Sequence, residues 1–229
     1  MKNVWQWLIR CIPSPMMIHR QDYWIAPLGA LIGILGTAYL SYQLLGFHSP
    51  WLIAPMGASA VLLFVIPASP LAQPWSVIGG NLIAAGVGVS CAHFIASPIL
   101  ASALAASIAI GLMMRLRCLH PPSGAVALTA VLGGPNITQL GYQFMLNPVL
   151  VNSVIIVAFA IIYHQFSHHS YPHQHKTEAT PASPLEITLE DVESALRQHH
   201  ELLDIDEIDL LNIVQETEAL AKNRRKQAP

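Results

Sequence analysis

The sequence predicts an all-α membrane protein with six apolar segments and a small cytoplasmic helical tail. Of the 229 residues, 53% are hydrophobic and 10% charged, whereas about 25% are charged in typical soluble domains. The charges are also segregated, because no Asp, Glu or Lys lies between Tyr23 and Tyr163. Apolar runs fill that same stretch, and a helix needs about 20 apolar residues to cross a bilayer. The composition is therefore that of a multi-pass membrane domain followed by a charged tail.

The six apolar runs differ in length. They cover 24–45, 51–66, 75–96, 98–114, 121–134 and 146–166. The second and the fifth are short and rich in Gly and Ala, and prolines bound both of them. Short, proline-interrupted segments in corresponding positions are typical of transporter binding sites, so these two runs are predicted to be half-helices.

An internal repeat relates the two short runs. Pro-Met-Gly-Ala at 55–58 matches Pro-Ser-Gly-Ala at 122–125, an offset of 122 − 55 = 67 residues. A histidine precedes each block (His48 and His120), and a proline closes each run (Pro67 and Pro135). Each repeat then holds three segments, and an odd number inverts the second repeat in the membrane. The predicted fold is therefore two inverted three-helix repeats.

The distribution of Lys and Arg predicts the orientation. With six spans and the N-terminus inside, all 11 basic residues fall on the cytoplasmic side, as the positive-inside rule requires. A four-span alternative, in which the short runs do not cross, also keeps both termini inside but places Arg115 and Arg117 outside. We therefore expect a multi-pass protein of the bacterial inner (plasma) membrane with both termini cytoplasmic.

Composition divides the chain into four parts. Residues 1–20 form an interfacial segment with aromatic anchors, and 21–166 form the transmembrane domain. A His/Pro/Ser-rich linker covers 167–185, and a cytoplasmic helical tail covers 186–229. Apolar residues recur at helical spacing in the tail, which predicts two short helices there.

The candidate site lies where the two short runs begin. Proline suits the first turn of a helix, and a helix N-terminus offers free amides and a positive dipole end that favour an anion. The absence of acids between Tyr23 and Tyr163 argues against a cation path. Asparagines could add donors, or could instead be packing contacts between helices. The candidate substrate-binding residues are Gly57, Ala58, Ser59, Asn81, His120, Pro121, Pro122, Ser123, Gly124, Ala125 and Asn147.

Other classes of function find little support. The sequence has no catalytic motif, so no catalytic residue and no enzyme activity are predicted. No metal or cofactor site is predicted, since the linker histidines are not joined by cysteines or nearby acids. There is no basic stripe for nucleic acid. The expected partners are a small anion and the lipid bilayer, and the sequence leaves open whether the chain forms a homo-oligomer.

The membrane domain resembles the HPP family of integral membrane proteins. The family motif is His-Pro-Pro at 120–122, followed by Ser-Gly-Ala at 123–125, and the blocks at 55–64, 67–74 and 79–81 are also similar. The resemblance covers about 20–166. It implies a transporter or channel for a small inorganic anion, with nitrite the leading candidate, since plant chloroplast and cyanobacterial relatives are implicated in nitrite transport. It also implies four spans rather than six.

One alternative function remains. The chain could be a non-transporting membrane scaffold or sensor that acts through its cytoplasmic tail. A transporter should tolerate deletion of the tail, whereas a scaffold should not.

Overall fold

The computed structural model describes residues 20–46, 50–167, 169–173, 208 and 210–218, and every regular element among them is helical. The helices are α1 Asp22–Leu45, α2 Pro55–Val65, α3 Pro74–Phe94, α4 Pro98–Arg115, α5 Pro122–Leu132, the single turn α6 Pro135–Thr138, and α7 Val151–His164. A 3₁₀ turn at Pro70–Ala72 precedes α3, and a π-helical turn at Met145–Leu150 leads into α7. The all-helical prediction is confirmed for this part of the chain.

Three parts of the sequence-based interpretation lie outside the described residues. These are nearly all of the predicted interfacial segment at 1–20, the His48 that precedes the first repeat block, and most of the predicted tail. Within the tail, residues 208 and 210–218 are described, and they are helical.

Four of the described helices are long and apolar enough to cross a membrane: α1, α3, α4 and the combined helix Met145–His164. The two short helices, α2 and α5, contain 11 residues each. Helices α2 to α6 all begin at a proline, because proline lacks only an amide that the first turn leaves unbonded. Of the prolines that bounded the short runs in the sequence, Pro55, Pro122 and Pro135 therefore mark helix starts.

Polar contacts gather four helix ends at one end of the bundle. His169 Nε2 lies 3.0 Å from Asp22 Oδ1, and the indole of Trp75 donates to the Leu116 carbonyl. The hydroxyl of Tyr171 donates to the Ala72 carbonyl. The starts of α1 and α3 and the ends of α4 and α7 therefore lie together. We call this the strap end, because residues 169–173, the strap, fold across it.

The connections between the long helices must return along the bundle. Helix α1 starts at the strap end and finishes far from it, yet α3 starts at the strap end again. The described residues 50–73, which contain α2, therefore run back along the bundle. The same holds for residues 116–144, which contain α5. The two short helices are antiparallel, because α2 approaches the strap end whereas α5 leaves it.

Small residues spaced four apart predict close helix packing on α1, at Gly29 and Gly33, and on α4, at Ala101, Ala105 and Ala109. A Cβ atom at Gly33 would lie 2.5 Å from the ring of Phe64, and one at Gly29 would lie 2.6 Å from the ring of Tyr163. Ala101, Ala105 and Ala109 on α4 are at most 1% exposed. Both patterns are confirmed as packing faces.

The end of α4 has an unusual local geometry. Arg117 has a φ of 54°, and the amide of Cys118 donates to the Met113 carbonyl over 2.9 Å. A residue in the left-handed region followed by such a bond is the usual way to terminate a helix, although glycine normally occupies that position. This turn sends residues 118–121 back into the bundle, directly before α5.

Candidate functional site

The centre of the bundle holds a buried histidine between α2 and the loop that precedes α3. His120 Nε2 lies 2.9 Å from Ser59 Oγ, and its Nδ1 lies 2.8 Å from the Leu71 carbonyl oxygen. Because a carbonyl can only accept, Nδ1 carries the proton. A buried ring without an acidic partner stays neutral, so Nε2 accepts from the Ser59 hydroxyl. Both side chains are fully buried. His120 is therefore held as a neutral ring with both nitrogen atoms bonded.

A second chain of hydrogen bonds joins α5, α3 and α7. Ser123 Oγ donates to Asn81 Oδ1 over 2.7 Å, and Asn81 Nδ2 donates to Ser153 Oγ over 2.9 Å. Ser153 in turn donates to the carbonyl of Val149. All three polar side chains are fully buried. The chain crosses the interior from one short helix to the last long helix without a charged group.

A third cluster lies farther from the strap end. Asn152 Nδ2 donates to Ser41 Oγ and to the Trp51 carbonyl, each over 2.9 Å. Its Oδ1 accepts from the amide of Ile53 over 3.0 Å. This asparagine therefore ties α1 and the irregular segment before α2 to α7. Its amide group is used within the protein, so it acts here as an interhelical contact.

The structure brings four of the sequence-predicted site residues together in this polar centre: Ser59, Asn81, His120 and Ser123. The other seven lie around it or outside it. Pro122 is buried, Gly124 and Asn147 are half-buried, and Gly57, Ala58, Pro121 and Ala125 are exposed. A Cβ atom at Gly57 or Gly124 would meet nothing within 4 Å. The glycines are thus not required by close packing in this chain.

The expectation of free amides at the two helix starts is wrong for this conformation. The amides of Met56 and Gly57 donate to the carbonyls of Ile53 and Ala54. Those of Ser123 and Gly124 donate in the same way to the carbonyls of His120 and Pro121. Tight turns before each helix satisfy groups that a helix start would otherwise leave open. An anion there would have to compete with these bonds.

A cavity of about 480 Å³ lies at the other end of the bundle, which we call the cavity end. No sequence-predicted site residue lines it. Its wall is mainly apolar, with polar groups from one histidine, one threonine and one tyrosine. The lining residues are Val89, Ala92, His93, Ile95, Ala96, Pro98, Ala101, Ala130, Val131, Ile137, Thr138, Gly141 and Tyr142. These come from four separate elements, so no local pattern could have predicted the cavity.

The strap was also missed, because its sequence resembles a polar linker. Tyr171 is only 7% exposed, and the amide of His173 donates to Gln73 Oε1 over 3.0 Å. His164, at the end of α7, bonds the Leu63 carbonyl through Nε2. No group of three His, Cys, Asp or Glu side chains with metal-binding geometry occurs among the described residues. A lone aromatic residue in a histidine-rich stretch was the available signal.

Long apolar helices around an uncharged polar centre define a multi-pass α-helical membrane protein. The model of the HPP transmembrane region matches residues 15–172, which is more than half of the chain. The protein therefore belongs to the HPP family, as the His-Pro-Pro motif at 120–122 indicated.

Curated relatives are also described as transmembrane proteins. One from Dictyostelium discoideum is 37% identical over 151 residues, which cover 63% of this chain and 53% of the relative. A second from the same organism is 33% identical over 159 residues, covering 67% of this chain and 51% of the relative. The chain thus spans about half the length of the curated relatives it matches. No solved structure matches it significantly.

Proposed function

We propose that this protein transports a small inorganic anion across the membrane, with nitrite as the leading candidate substrate, and that it is not an enzyme. The observation that carries the proposal is the polar centre around Ser59, Asn81, His120 and Ser123, which consists only of neutral hydrogen-bonding groups. No Asp, Glu or Lys lies anywhere between residues 23 and 163. Hydroxyl, amide and imidazole groups can donate to an anion, whereas a cation path would normally need carboxylates or exposed carbonyls.

We further propose that the chain crosses the membrane six times, with the short helices α2 and α5 each forming half of a crossing. Two observations support this. The returning segments 50–73 and 116–144 run along the bundle, and the matched Pro-x-Gly-Ala blocks both start short antiparallel helices. An inverted repeat requires this antiparallel arrangement, and a four-span chain would leave α1 and α3 starting at opposite ends.

The proposed orientation places the strap end in the cytoplasm. Arg20 lies two residues before the start of α1, and Arg115 and Arg117 lie at the end of α4, so all three belong to the strap end. The positive-inside rule favours a cytoplasmic position for such residues. The cavity then faces the opposite side of the membrane, and the polar centre lies between the cavity and the strap.

The transport step would exchange internal hydrogen bonds for bonds to the anion. In the structure, the Ser59 and Ser123 hydroxyls donate to His120 and Asn81. A shift of α5 relative to α2 and α3 would release these two hydroxyl donors. An anion entering from the cavity end would then find several donors at once, which would replace part of its hydration shell.

Nitrite uptake into proteoliposomes tests the proposal. Proteoliposomes with the wild-type protein should accumulate nitrite above the level of protein-free liposomes. Gly124→Val should remove most of this uptake, because the larger side chain would fill the open space beside the start of α5. The matched control is Gly111→Val on α4. A Cβ atom has open space at both positions, so both variants should fold and insert.

Two results would contradict the proposal. One is a wild-type protein that carries neither nitrite nor another small anion, and the other is equal uptake by Gly124→Val and wild type. Either would favour the alternative, a membrane scaffold or sensor that acts through its tail.

A further inference from the structure

The strap is held against the membrane domain by several hydrogen bonds and a ring contact. The Tyr171 hydroxyl donates to the Ala72 carbonyl over 2.9 Å, and the His173 amide bonds Gln73 Oε1. At its other end, His169 bonds Asp22, and the Tyr171 ring lies against the His164 ring with centroids 5.7 Å apart. The strap therefore holds the loop between α2 and α3 from the outside.

That same loop holds the buried histidine from the inside. The Leu71 carbonyl accepts from His120 Nδ1 over 2.8 Å, and the next carbonyl along the chain, that of Ala72, accepts from Tyr171. Gln73 stiffens the loop further, since its Nε2 donates to the carbonyls of Pro67 and Ser69. Two adjacent carbonyls thus connect the strap directly to the polar centre.

We infer that Tyr171 is a positioning residue of the proposed transport site: its hydroxyl fixes the loop at Leu71–Ala72, which in turn fixes the orientation of the His120 ring toward Ser59. The inference rests on the proposed function for its role in transport, but the positioning itself can be measured without transport.

The chemistry of Tyr171 suits this role. Burial raises the pKa of its phenol well above the usual range, so the hydroxyl stays protonated and remains a donor at any physiological pH. The carbonyl of Ala72 needs such a donor, because Ala72 is itself fully buried and a buried carbonyl without a partner is costly.

Two native cysteines report on the two ends of the bundle. Cys118 is fully buried two residues before His120, and Cys91 is 7% exposed on α3, next to Ser90 at the cavity end. Burial of the Cys118 thiol slows its reaction with maleimide until the loop opens. The experiment therefore uses the full chain carrying Cys11→Ser, reconstituted in liposomes and labelled with N-ethylmaleimide, with each cysteine quantified by peptide mass spectrometry.

Tyr171→Phe should accelerate the labelling of Cys118 roughly three- to tenfold, the effect of one lost hydrogen bond, and leave Cys91 unchanged. The matched control is Tyr142→Phe, which removes a hydroxyl that lies 3.0 Å from Ser90 Oγ. That variant should change the rate at which Cys91 is labelled and leave the labelling rate of Cys118 unchanged. The phenylalanine ring keeps the packing, so both variants should insert normally.

Three outcomes would overturn the inference. They are unchanged labelling of Cys118 in Tyr171→Phe, equal acceleration at both cysteines, and acceleration at Cys118 in the Tyr142→Phe control. Nitrite uptake measured on the same liposomes separates the two proposals. Faster Cys118 labelling by Tyr171→Phe, combined with no uptake by wild type, would support the positioning role and contradict the transport function.

Discussion

The two ends of helix α5 differ in how they are closed. At its start, His120 is fully buried and bonded on both nitrogen atoms, and the strap covers the loop that holds it. At its end, Ala130 and Val131 line a cavity of about 480 Å³. Hydrogen bonds and basic residues thus concentrate at one end, and empty volume with mainly apolar walls at the other. The two ends of one short helix thus differ in both packing and chemistry.

The largest expected effect is on stability, at the close contact between α3 and α5. A Cβ atom at Gly88 would lie 2.6 Å from the Ala127 carbonyl oxygen and 2.7 Å from the Ala130 Cβ atom. The added Cβ atom would force the backbone of α5 to move away from α3. Gly88→Ala should therefore lower the free energy of unfolding by about 1–3 kcal/mol. Thermal unfolding in detergent would measure this loss.

The control for that prediction is Gly111→Ala on α4, where a Cβ atom meets nothing within 4 Å. It should be neutral, or stabilising by up to about 1 kcal/mol, because alanine favours the helix over glycine. If Gly88→Ala unfolds at the same temperature as Gly111→Ala, then α3 and α5 are not packed as closely as described.

Much of the fold could be predicted because it depends on local rules. Proline at a helix start is a local preference, and both short helices begin at a proline near the start of a predicted short run, Pro55 and Pro122. The four-residue spacing of Gly29 and Gly33 likewise predicts their helix-packing face. The repeat predicted the matched positions of Gly57 and Gly124, although both have open space rather than a close neighbour.

The candidate site was predicted only in part, because hydrogen-bond partners are set by tertiary structure. The sequence could single out His120 and Asn81, but not that Ser59 and Ser123 already satisfy them. It could not predict that the amides of the two helix starts bond to the preceding turns. Tyr171 was assigned to a linker because its buried partner, Ala72, lies 99 positions away in the chain.

A substitution at the cavity end should have an intermediate effect. Ala92 is half-buried and lines the cavity, so Ala92→Trp would fill part of its volume without displacing packed backbone. If the cavity is the route to the polar centre, nitrite uptake should fall several-fold while the unfolding temperature stays close to that of wild type. Uptake into proteoliposomes and thermal unfolding together measure this.

The control for the cavity substitution is Ala103→Trp, since Ala103 on α4 is exposed on the bundle surface and does not line the cavity. It adds the same side chain to a position where it meets lipid. Equal uptake by the two tryptophan variants would mean that the cavity is not on the path, and that the difference between the two ends has no role in transport.

The smallest expected effect is at the strap end, where α4 terminates. Arg117 adopts a φ of 54°, a conformation that costs a side-chain-bearing residue up to about 1 kcal/mol relative to glycine. Arg117→Gly should therefore raise the free energy of unfolding by about 0.5–1 kcal/mol, measured by thermal or denaturant unfolding. Arg117→Ala is the matched control, because it removes the same charge but keeps a Cβ atom in the strained conformation. A gain shared by both variants would assign the effect to the charge, and no gain in either would show that the turn is not strained.

If Arg117 serves orientation alone, both variants should transport as well as wild type, because Arg20 and Arg115 still mark the cytoplasmic side.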